Sequence, residues 1–309
     1  MARMHILDGG LQTSLQGRPM AGRRHIALPG AGPADPISHA LANWCVGNAP
    51  DVAALEITLS GASFRFDSPA TIAVCGAADS ADIDGRGVDT QRSHRLEAGS
   101  VLHVHSARHG VRSYLAIAGG FDGPELLGGT SSYLPAAIGK PVLRAGMELG
   151  FTRGDAGEER HVPDSYRLTM TDEIGLHAVP GPEYDRLDAE GRRALFENAF
   201  TIGNRANRIG CELEGTALRP APSGIASAAV FPGTVQAPPS GKPFLLGVDA
   251  QTTGGYPRIA QVIRADRHSI GQLRPGTRVR FLRTDPERAA EILRRKLLLW
   301  RALTPSLHL

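Results

Sequence analysis

Short apolar segments separated by glycine, proline or aspartate recur along this chain, and they constrain the fold more than any other feature of the sequence. Six of them are predicted to be strands, namely residues 71–75, 101–105, 111–118, 147–151, 166–170 and 175–179. Short strands at such even spacing are typical of β-barrels and sandwiches. The 37 glycines and 22 prolines agree with many turns. We therefore expect a mainly β fold with a few short helices.

Three helices are expected in addition. Asp35-Pro36 and Asp285-Pro286 each combine an N-cap carboxylate with a proline at the first helical position, which predicts helix starts at both places. Residues 188–200 form the third predicted helix. Residues 11–34 are expected to be turn-rich, whereas the alternation in residues 277–281 indicates a half-exposed strand.

The length of 309 residues and the hydrophobic content of 41% are sufficient for two ordinary domains. Residues 153–165 contain almost no large apolar side chain and carry charges of both signs, as linkers between domains do. We therefore predict an N-terminal β domain over residues 1–155 and a C-terminal domain over residues 166–309.

Residues 231–257 contain the chain's most distinctive arrangement, a short apolar strand between two stiff polar loops. The strand is predicted at residues 244–248, after a loop with three prolines (residues 236–243) and before a loop with adjacent glycines (residues 249–257). Adjacent glycines permit positive φ and close approach to the backbone, so their N–H groups can form a concave seat. Such pairs are also ordinary turn residues in β proteins, and that interpretation stays open.

The side chains near this seat are uncharged donors and acceptors, with one carboxylate. A carboxylate, carbamate or amide ligand would suit them. The candidate ligand-binding residues are Gln236, Ser240, Asp249, Gln251, Thr252, Gly254, Gly255 and Tyr256.

Charge and cysteine content exclude several classes of function. The net charge is only +3, with no basic stripe among aromatic residues, so nucleic-acid binding is not expected. Cys45, Cys75 and Cys211 are widely spaced and are predicted to be reduced core thiols of a cytoplasmic protein. Neither a signal peptide nor a membrane-spanning run is recognisable, so no membrane association is expected.

Sequence signals for catalytic or metal-binding centres are weak. His103 and His105 alternate along one predicted strand as metal ligands can, but no suitably spaced glutamate follows, so no metal is predicted. The chain contains no Gly-x-Ser-x-Gly elbow and no Walker-type phosphate loop. A general base cannot be assigned from the sequence.

A series of short motifs extends in order along nearly the whole chain. The most specific is Gln-Thr-Thr-Gly-Gly-Tyr-Pro at residues 251–257. The others are Gly-Leu-Gln-Thr at 10–13, Asp-Pro at 35–36, Gly-Asn at 47–48, Ala-Leu-Glu-Ile-Thr at 54–58, Tyr-Leu-Ala-Ile-Ala-Gly-Gly at 114–120, Asn-Arg-Ile-Gly at 207–210, Pro-Gly-Thr-Val-Gln at 232–236, Pro-Pro-x-Gly at 238–241 and Gln-Leu-Arg-Pro-Gly at 272–276. These motifs resemble those of the KipA-type proteins, also described as biotin-dependent carboxyltransferase subdomain A and B, the C subunit of 5-oxoprolinase, or allophanate hydrolase subunit 2.

This resemblance implies two cyclophilin-like β-barrel subdomains and an obligate partner. It implies a component of an ATP-dependent 5-oxoprolinase, acting on a small amide or lactam with a KipI-type protein and a third protein of the LamB/YcsF type. Two alternatives remain open: a carboxyltransferase half that uses carboxybiotin to act on urea or a related amide, and a KipA-like regulatory protein without catalysis.

Departures from the family pattern favour the regulatory alternative. Residues 31–35 (Ala-Gly-Pro-Ala-Asp) replace a Ser-Gly-Ala-Met-Asp string, which removes a serine. Residues 128–132 and 227–229 replace strings that carry an arginine and a glutamate.

Geometry and resemblance together add five candidate site residues. Asn207 and Arg208 are predicted to supply a cation for a ligand carboxylate, because a guanidinium can bind one in bidentate fashion. Asp35, Asn48 and Glu56 are the candidates from the N-terminal domain. Glu56 lies in a predicted strand at residues 54–59, where it either faces water or braces a loop or ligand.

Overall fold

A computed structural model describes residues 2–155, 157–220 and 225–309. The chain divides into two compact units. The first comprises Met1–Ala21, Ala31–Met170 and Leu299–His308, and the second comprises Gly22–Gly30, Thr171–Leu298 and Leu309. The prediction of a mainly β protein with a few short helices is confirmed.

The first unit contains eleven strands and one α-helix among its described residues. They are β1 (Ala2–Asp8), β2 (Gln12–Gln16), α1 (Pro36–Cys45), β3 (Ala54–Thr58), β4 (Ala62–Phe66), β5 (Ala70–Gly76), β6 (Ala81–Ile83), β7 (Arg86–Val88), β8 (Ser93–Leu96), β9 (Val101–Val104), β10 (Arg112–Ile117) and β11 (Glu148–Phe151).

These strands form two sheets, with the orders β11-β1-β4-β9-β6-β7 and β2-β3-β10-β5-β8. One apolar cluster takes side chains from both sheets, including Met4 and Phe64 from the first and Leu55 and Leu115 from the second. The sheets therefore pack face to face around a shared core, because each strand directs alternate side chains inward.

Helix α1 begins as the sequence predicts. Asp35 accepts hydrogen bonds from the backbone N–H groups of Ile37 and Ser38, both at 3.1 Å, and Pro36 occupies the first helical position. Its buried face includes Ile37 and Leu41, and the helix lies against β5 and β10. An N-cap of this kind stabilises a helix by about 1 kcal/mol.

The second unit is built around a closed barrel with the strand order β12-β19-β16-β17-β14-β13-β20. Its elements are β12 (Glu173–Pro180), α2 (Ala189–Glu197), β13 (Ala199–Ala206), β14 (Gly210–Glu214), β15 (Ala228–Ala229), β16 (Thr234–Gln236), β17 (Phe244–Leu246), β18 (Thr253–Gly254), β19 (Arg258–Val262), α3 (Arg267–Ile270), β20 (Arg278–Arg283) and α4 (Pro286–Arg301), the last of which belongs to this unit up to Leu298. A separate apolar cluster fills the barrel, with Phe200 and Phe281 among its largest members.

Three local predictions are wrong. Residues 166–170 form no strand: a single 3₁₀ turn covers Asp164–Tyr166, and the alternating side chains that follow have no partner strand within the described residues. The helix predicted at residues 188–200 ends at Glu197, because Phe200 pairs with Val279 of β20. Residues expected to be turns include β2, a strand of mostly polar but buried residues that an apolar pattern does not reveal.

Candidate functional site

Both polar loops of residues 231–257 meet the barrel at Gln236. This residue is the last of β16, and it is paired with Phe244 of β17 on one side and with Arg258 of β19 on the other. The first loop therefore leaves the sheet at Gln236, and the second returns beside it. Ala237 N–H also donates to Pro257 O at 2.9 Å, which holds the two loops together at this point.

The carboxamide of Gln236 links the two loops. Its Nε2 donates to the carbonyl oxygen of Tyr256 at 3.3 Å, and Gln251 Nε2 approaches its Oε1 at a long 3.5 Å. Gln236 is only 2% exposed, whereas Gln251 and Tyr256 lie at the surface. A buried amide thus supports a rim of exposed, uncharged groups.

A side chain at position 254 would displace the carboxamide of Gln236. A Cβ atom there would lie 2.6 Å from Gln236 Nε2, closer than real Cβ contacts, whereas one at Gly255 would meet only Ile225 O at 3.9 Å. Neither glycine adopts the positive φ that adjacent glycines permit. Gly254 lies in the extended strand β18, paired with Ala228 of β15, so it allows close approach and not a left-handed turn.

Thr252 contributes its backbone to this region. Its carbonyl oxygen accepts a hydrogen bond from Val230 N–H at 3.1 Å, and its side chain is buried. The exposed surface of the second loop therefore comes from Gln251, Thr253, Gly255 and Tyr256, none of which carries a charge at neutral pH. Such a surface can donate to and accept from an amide.

Arg208 and Asp249 form a buried ion pair. Arg208 Nε donates to Asp249 Oδ2 at 2.7 Å, and a terminal guanidinium nitrogen donates to Oδ1 at 3.0 Å. Their side chains are 4% and 1% exposed. The guanidinium of Arg208, which was predicted to bind a ligand carboxylate, thus binds the carboxylate of Asp249 in the same unit. Asp249 in turn directs its carboxylate towards Arg208. These contacts support a role in fixing the second loop.

The side chains of Asn207 and Ser240 accept hydrogen bonds from backbone N–H groups of the turns in which they lie. Asn207 Oδ1 accepts from the N–H groups of Ile209 at 2.8 Å and Gly210 at 3.3 Å, which closes the β13–β14 hairpin. Ser240 Oγ accepts a long 3.4 Å bond from Lys242 N–H and is exposed. These contacts support turn-stabilising roles and give neither residue a link to the carboxamide of Gln236.

The candidates from the N-terminal domain, Asp35, Asn48 and Glu56, all belong to the first unit. Glu56 is 1% exposed, so the possibility that it faces water is wrong. Its Oε2 accepts from Ala34 N–H at 2.9 Å and from Tyr114 Oη at 2.8 Å. The Nε of the equally buried Arg112 lies 3.2 Å from its Oε1, an ion-pair distance without hydrogen-bond alignment. Glu56 thus braces the loop before α1.

Asp35 and Asn48 hold the two ends of α1. Tyr114 Oη also accepts from Asp35 N–H at 2.8 Å, and burial raises the pKa of this phenol well above its ordinary value, with the charge of Glu56 adding to the effect. The amide of Asn48 donates to Ile117 O at 2.8 Å and accepts from Gly119 N–H at 3.0 Å. These contacts support structural roles for both residues.

Arg258 and Glu183 form an ion pair next to the candidate site. Neither residue was predicted from the sequence. Arg258 Nε donates to Glu183 Oε2 at 2.8 Å, and another guanidinium nitrogen donates to Ala229 O in β15 at 2.9 Å. The side-chain hydrogen bond from Arg258 lowers the pKa of Glu183. Arg258 directly follows the Gly-Gly-Tyr-Pro string, and this position is the signal that could have identified it.

In the described part of the chain, His, Cys, Asp and Glu side chains do not gather in groups of three that could hold a metal ion. His105 Nε2 instead lies 3.0 Å from Asp82 at the surface. None of the described helices combines the length and the apolarity needed to cross a bilayer. The three cysteines are buried and free, as predicted.

Comparison with known proteins agrees with the resemblance drawn from the motifs. The chain is 34% identical over 292 residues to the C subunit of 5-oxoprolinase from Escherichia coli, covering 93% of each protein. It is 32% identical to the C subunit of 5-oxoprolinase from Haemophilus influenzae, covering 94% of each.

A solved structure of Kluyveromyces lactis urea carboxylase superposes with a TM-score of 0.90 at 25% identity, covering 99% of this chain. The chain spans only 30% of that longer protein. The carboxyltransferase domain family, subdomain A and B, matches residues 26–283, which include the barrel and the Gln236 region. This chain therefore belongs to the carboxyltransferase subdomain A and B family.

Proposed function

We propose that this protein is the C subunit of a 5-oxoprolinase, an ATP-dependent enzyme that opens the lactam of 5-oxoproline to give glutamate. The observation that carries the proposal is the near full-length match, over 93% of both chains, to a protein named as the C subunit of 5-oxoprolinase.

The region around Gln236 supports the proposal. The exposed loop offers carboxamide, hydroxyl and backbone groups without net charge, and the buried Gln236 fixes their position. A lactam presents one N–H donor and one C=O acceptor, which such groups can bind. Donors aimed at the carbonyl oxygen would also stabilise the negative charge that develops there when the lactam is attacked.

ATP and the remaining catalytic groups belong, in this proposal, to a hetero-oligomeric complex in the cytoplasm. The KipI-type protein and a LamB/YcsF-type protein are its expected partners. This chain has no Walker-type loop, and none of its residues is assigned to the nucleotide. The role proposed for this chain is to bind and orient the amide.

A second candidate is the carboxyltransferase half of a biotin-dependent urea carboxylase. The TM-score of 0.90 with urea carboxylase favours it. Carboxybiotin would carry the carboxyl group to the substrate amide, and the uncharged loop could bind either the amide or the carbamate. A KipA-like regulatory role is the third candidate. It is supported by the absence from this chain of a serine, an arginine and a glutamate that the family pattern contains.

Reconstitution of the complex tests these candidates. The chain would be mixed with its KipI-type and LamB/YcsF-type partners, and glutamate release from 5-oxoproline would be measured with and without ATP. We expect release only when all three proteins and ATP are present. Carboxylation of urea by the chain with a biotin carboxylase and a biotinylated carrier would overturn the proposal in favour of the second candidate. A stable complex that turns over neither substrate would favour the regulatory role.

A further inference from the structure

One buried carboxylate of the second unit is shared by two exposed cations. The side chain of Glu212 in β14 is 8% exposed, and its Oε2 accepts a hydrogen bond from a terminal guanidinium nitrogen of Arg205. Its Oε1 accepts from Lys242 Nζ at 3.3 Å. The side chains of Arg205 and Lys242 are 77% and 56% exposed. We refer to Arg205, Glu212 and Lys242 as the Glu212 cluster.

The Glu212 cluster has one more positive than negative charge, because two cations share one acid. Within the described residues, neither cation pairs with a second acid. A guanidinium has five N–H donors and an ammonium has three, whereas Glu212 accepts from one nitrogen of each side chain. Both exposed cations therefore retain donors for an anion from solution.

The Glu212 cluster lies in the same cross-strand row as Gln236. Glu212 is paired with Phe244 of β17, and Phe244 is paired with Gln236 of β16. Paired residues of antiparallel strands direct their side chains to the same face, and the adjacent Leu245 belongs to the apolar cluster that fills the barrel. Glu212, Phe244 and Gln236 therefore share the outer face of the barrel wall. Neighbouring strands lie about 4.8 Å apart, so roughly 10 Å separate the Cα atoms of Glu212 and Gln236.

Phe244 provides an apolar surface between the two polar groups. Its ring extends over Gly210, where a Cβ atom would lie 2.5 Å from a ring carbon. The side chain packs against Val230, Leu246 and Ala250 and remains partly exposed. The row thus presents, in order, an amide anchor, an aromatic ring and a pair of cations.

That order matches a small ligand in which apolar carbons join an amide to an acid. 5-Oxoproline is such a molecule, with a lactam, ring methylenes and a carboxylate. We propose that Arg205 and Lys242, held in place by Glu212, bind the carboxylate of the substrate while the Gln236 region binds its lactam. Lys242 lies in the first polar loop, and its flexible stem allows the ammonium to reach towards a ligand at Gln236. The Glu212 cluster would then select acidic lactams over urea and neutral amides.

This inference rests on the proposed function, because it assigns recognition of a second group of the same substrate. The test compares two ligands of the reconstituted complex that differ only in the acid group. Equilibrium dialysis measures affinity for 5-oxoproline and for 2-pyrrolidinone, the same lactam without the carboxylate.

Lys242→Met and Arg205→Gln each remove one cation of the Glu212 cluster. Each variant leaves Glu212 paired with the other cation, so the fold should persist, and unfolding temperatures check this. Arg295→Gln is the matched control, because Arg295 is likewise an exposed arginine that pairs with a carboxylate, that of Glu291.

We expect Lys242→Met and Arg205→Gln each to bind 5-oxoproline about tenfold more weakly, as loss of a hydrogen bond to a charged group does. Both should bind 2-pyrrolidinone as the wild type does. Gln236→Met should weaken binding of both ligands, because both carry the lactam. Arg295→Gln should change neither affinity.

Two results would overturn the inference and leave the proposed function in place, provided that the wild-type complex binds and hydrolyses 5-oxoproline. One is wild-type affinity for 5-oxoproline in Lys242→Met and Arg205→Gln. The other is an equal loss of both ligands in these variants, which would indicate a structural role. A wild-type complex that neither binds nor hydrolyses 5-oxoproline would instead overturn the proposed function, and the inference with it.

Discussion

Glu56 in the first unit and Gln236 in the second are both almost fully buried polar side chains in β-strands, but their surroundings differ. Glu56 is enclosed by Arg112, Tyr114 and the backbone of Ala34. Gln236 contacts two residues of an exposed loop. Equal burial therefore does not imply an equal role: the contacts of Glu56 serve the fold, whereas those of Gln236 position residues of an exposed loop.

The strongest way to break this comparison is to remove the carboxylate of Glu56. Glu56→Ala leaves Arg112 buried without its counter-charge, so we expect the first unit to lose about 3–5 kcal/mol of stability. Urea unfolding followed by circular dichroism measures the loss. Glu97→Ala, at an exposed position, should change the free energy of unfolding by less than about 0.5 kcal/mol. Equal stability of the two variants would show that Glu56 is not a structural residue.

Gly254→Val tests whether Gln236 positions the binding groups of the exposed loop. Its side chain would occupy the space of the Gln236 carboxamide and displace it. We expect kcat/KM of the reconstituted complex for 5-oxoproline to fall about 100-fold, as misplacement of binding groups by about 1 Å can do. The fold should persist, because valine is favourable in a strand.

The control for Gly254 is Gly87→Ala in β7, where a Cβ atom meets nothing within 4 Å. It should keep wild-type kcat/KM and the wild-type unfolding temperature. Full activity of Gly254→Val in a folded complex would exclude the Gln236 region from the binding site.

The smallest expected effect concerns the ion pair between Glu183 and Arg258. The hydrogen bond from Arg258 lowers the folded-state pKa of Glu183. Its contribution to stability is therefore present above the unfolded pKa of about 4.3 and is lost as pH falls through the lower folded value. Unfolding of the wild type and Glu183→Gln should be compared between pH 7 and pH 3. We expect the stability difference between them to shrink in the acid range, and a constant difference would contradict the assignment.

The sequence predicts the fold better than it predicts the site. Helix α1 and strands such as β5 and β10 were predictable because cap residues and apolar runs report local structure directly. Strand β2 was missed because its buried residues are polar, and the end of α2 was misplaced because pairing of β13 with β20 is not local. Propensity cannot anticipate a strand partner that lies far along the chain.

Site residues were harder to predict, because residue type does not reveal which partner a side chain has. Arg208 was expected to bind a ligand carboxylate, yet it binds Asp249, another predicted site residue. Gly254 was predicted to bring a backbone donor to a ligand, and the structure shows in addition that its lack of a side chain leaves room for the carboxamide of Gln236. Of the predicted site residues, Gln236, Gln251, Gly254 and Tyr256 are brought together by direct contacts, which depend on the three-dimensional approach of two loops.

Binding of 5-oxoproline to the reconstituted complex with Gln236→Met tests the central claim most directly. Methionine has a similar volume but lacks the donor and acceptor that fix Tyr256 and Gln251, so the complex should fold and assemble as before. We predict that equilibrium dialysis shows affinity for 5-oxoproline at least about tenfold weaker than that of the wild type, as expected when a buried polar anchor is lost. Wild-type affinity in a correctly assembled complex would contradict the assignment of this region as the amide-binding site.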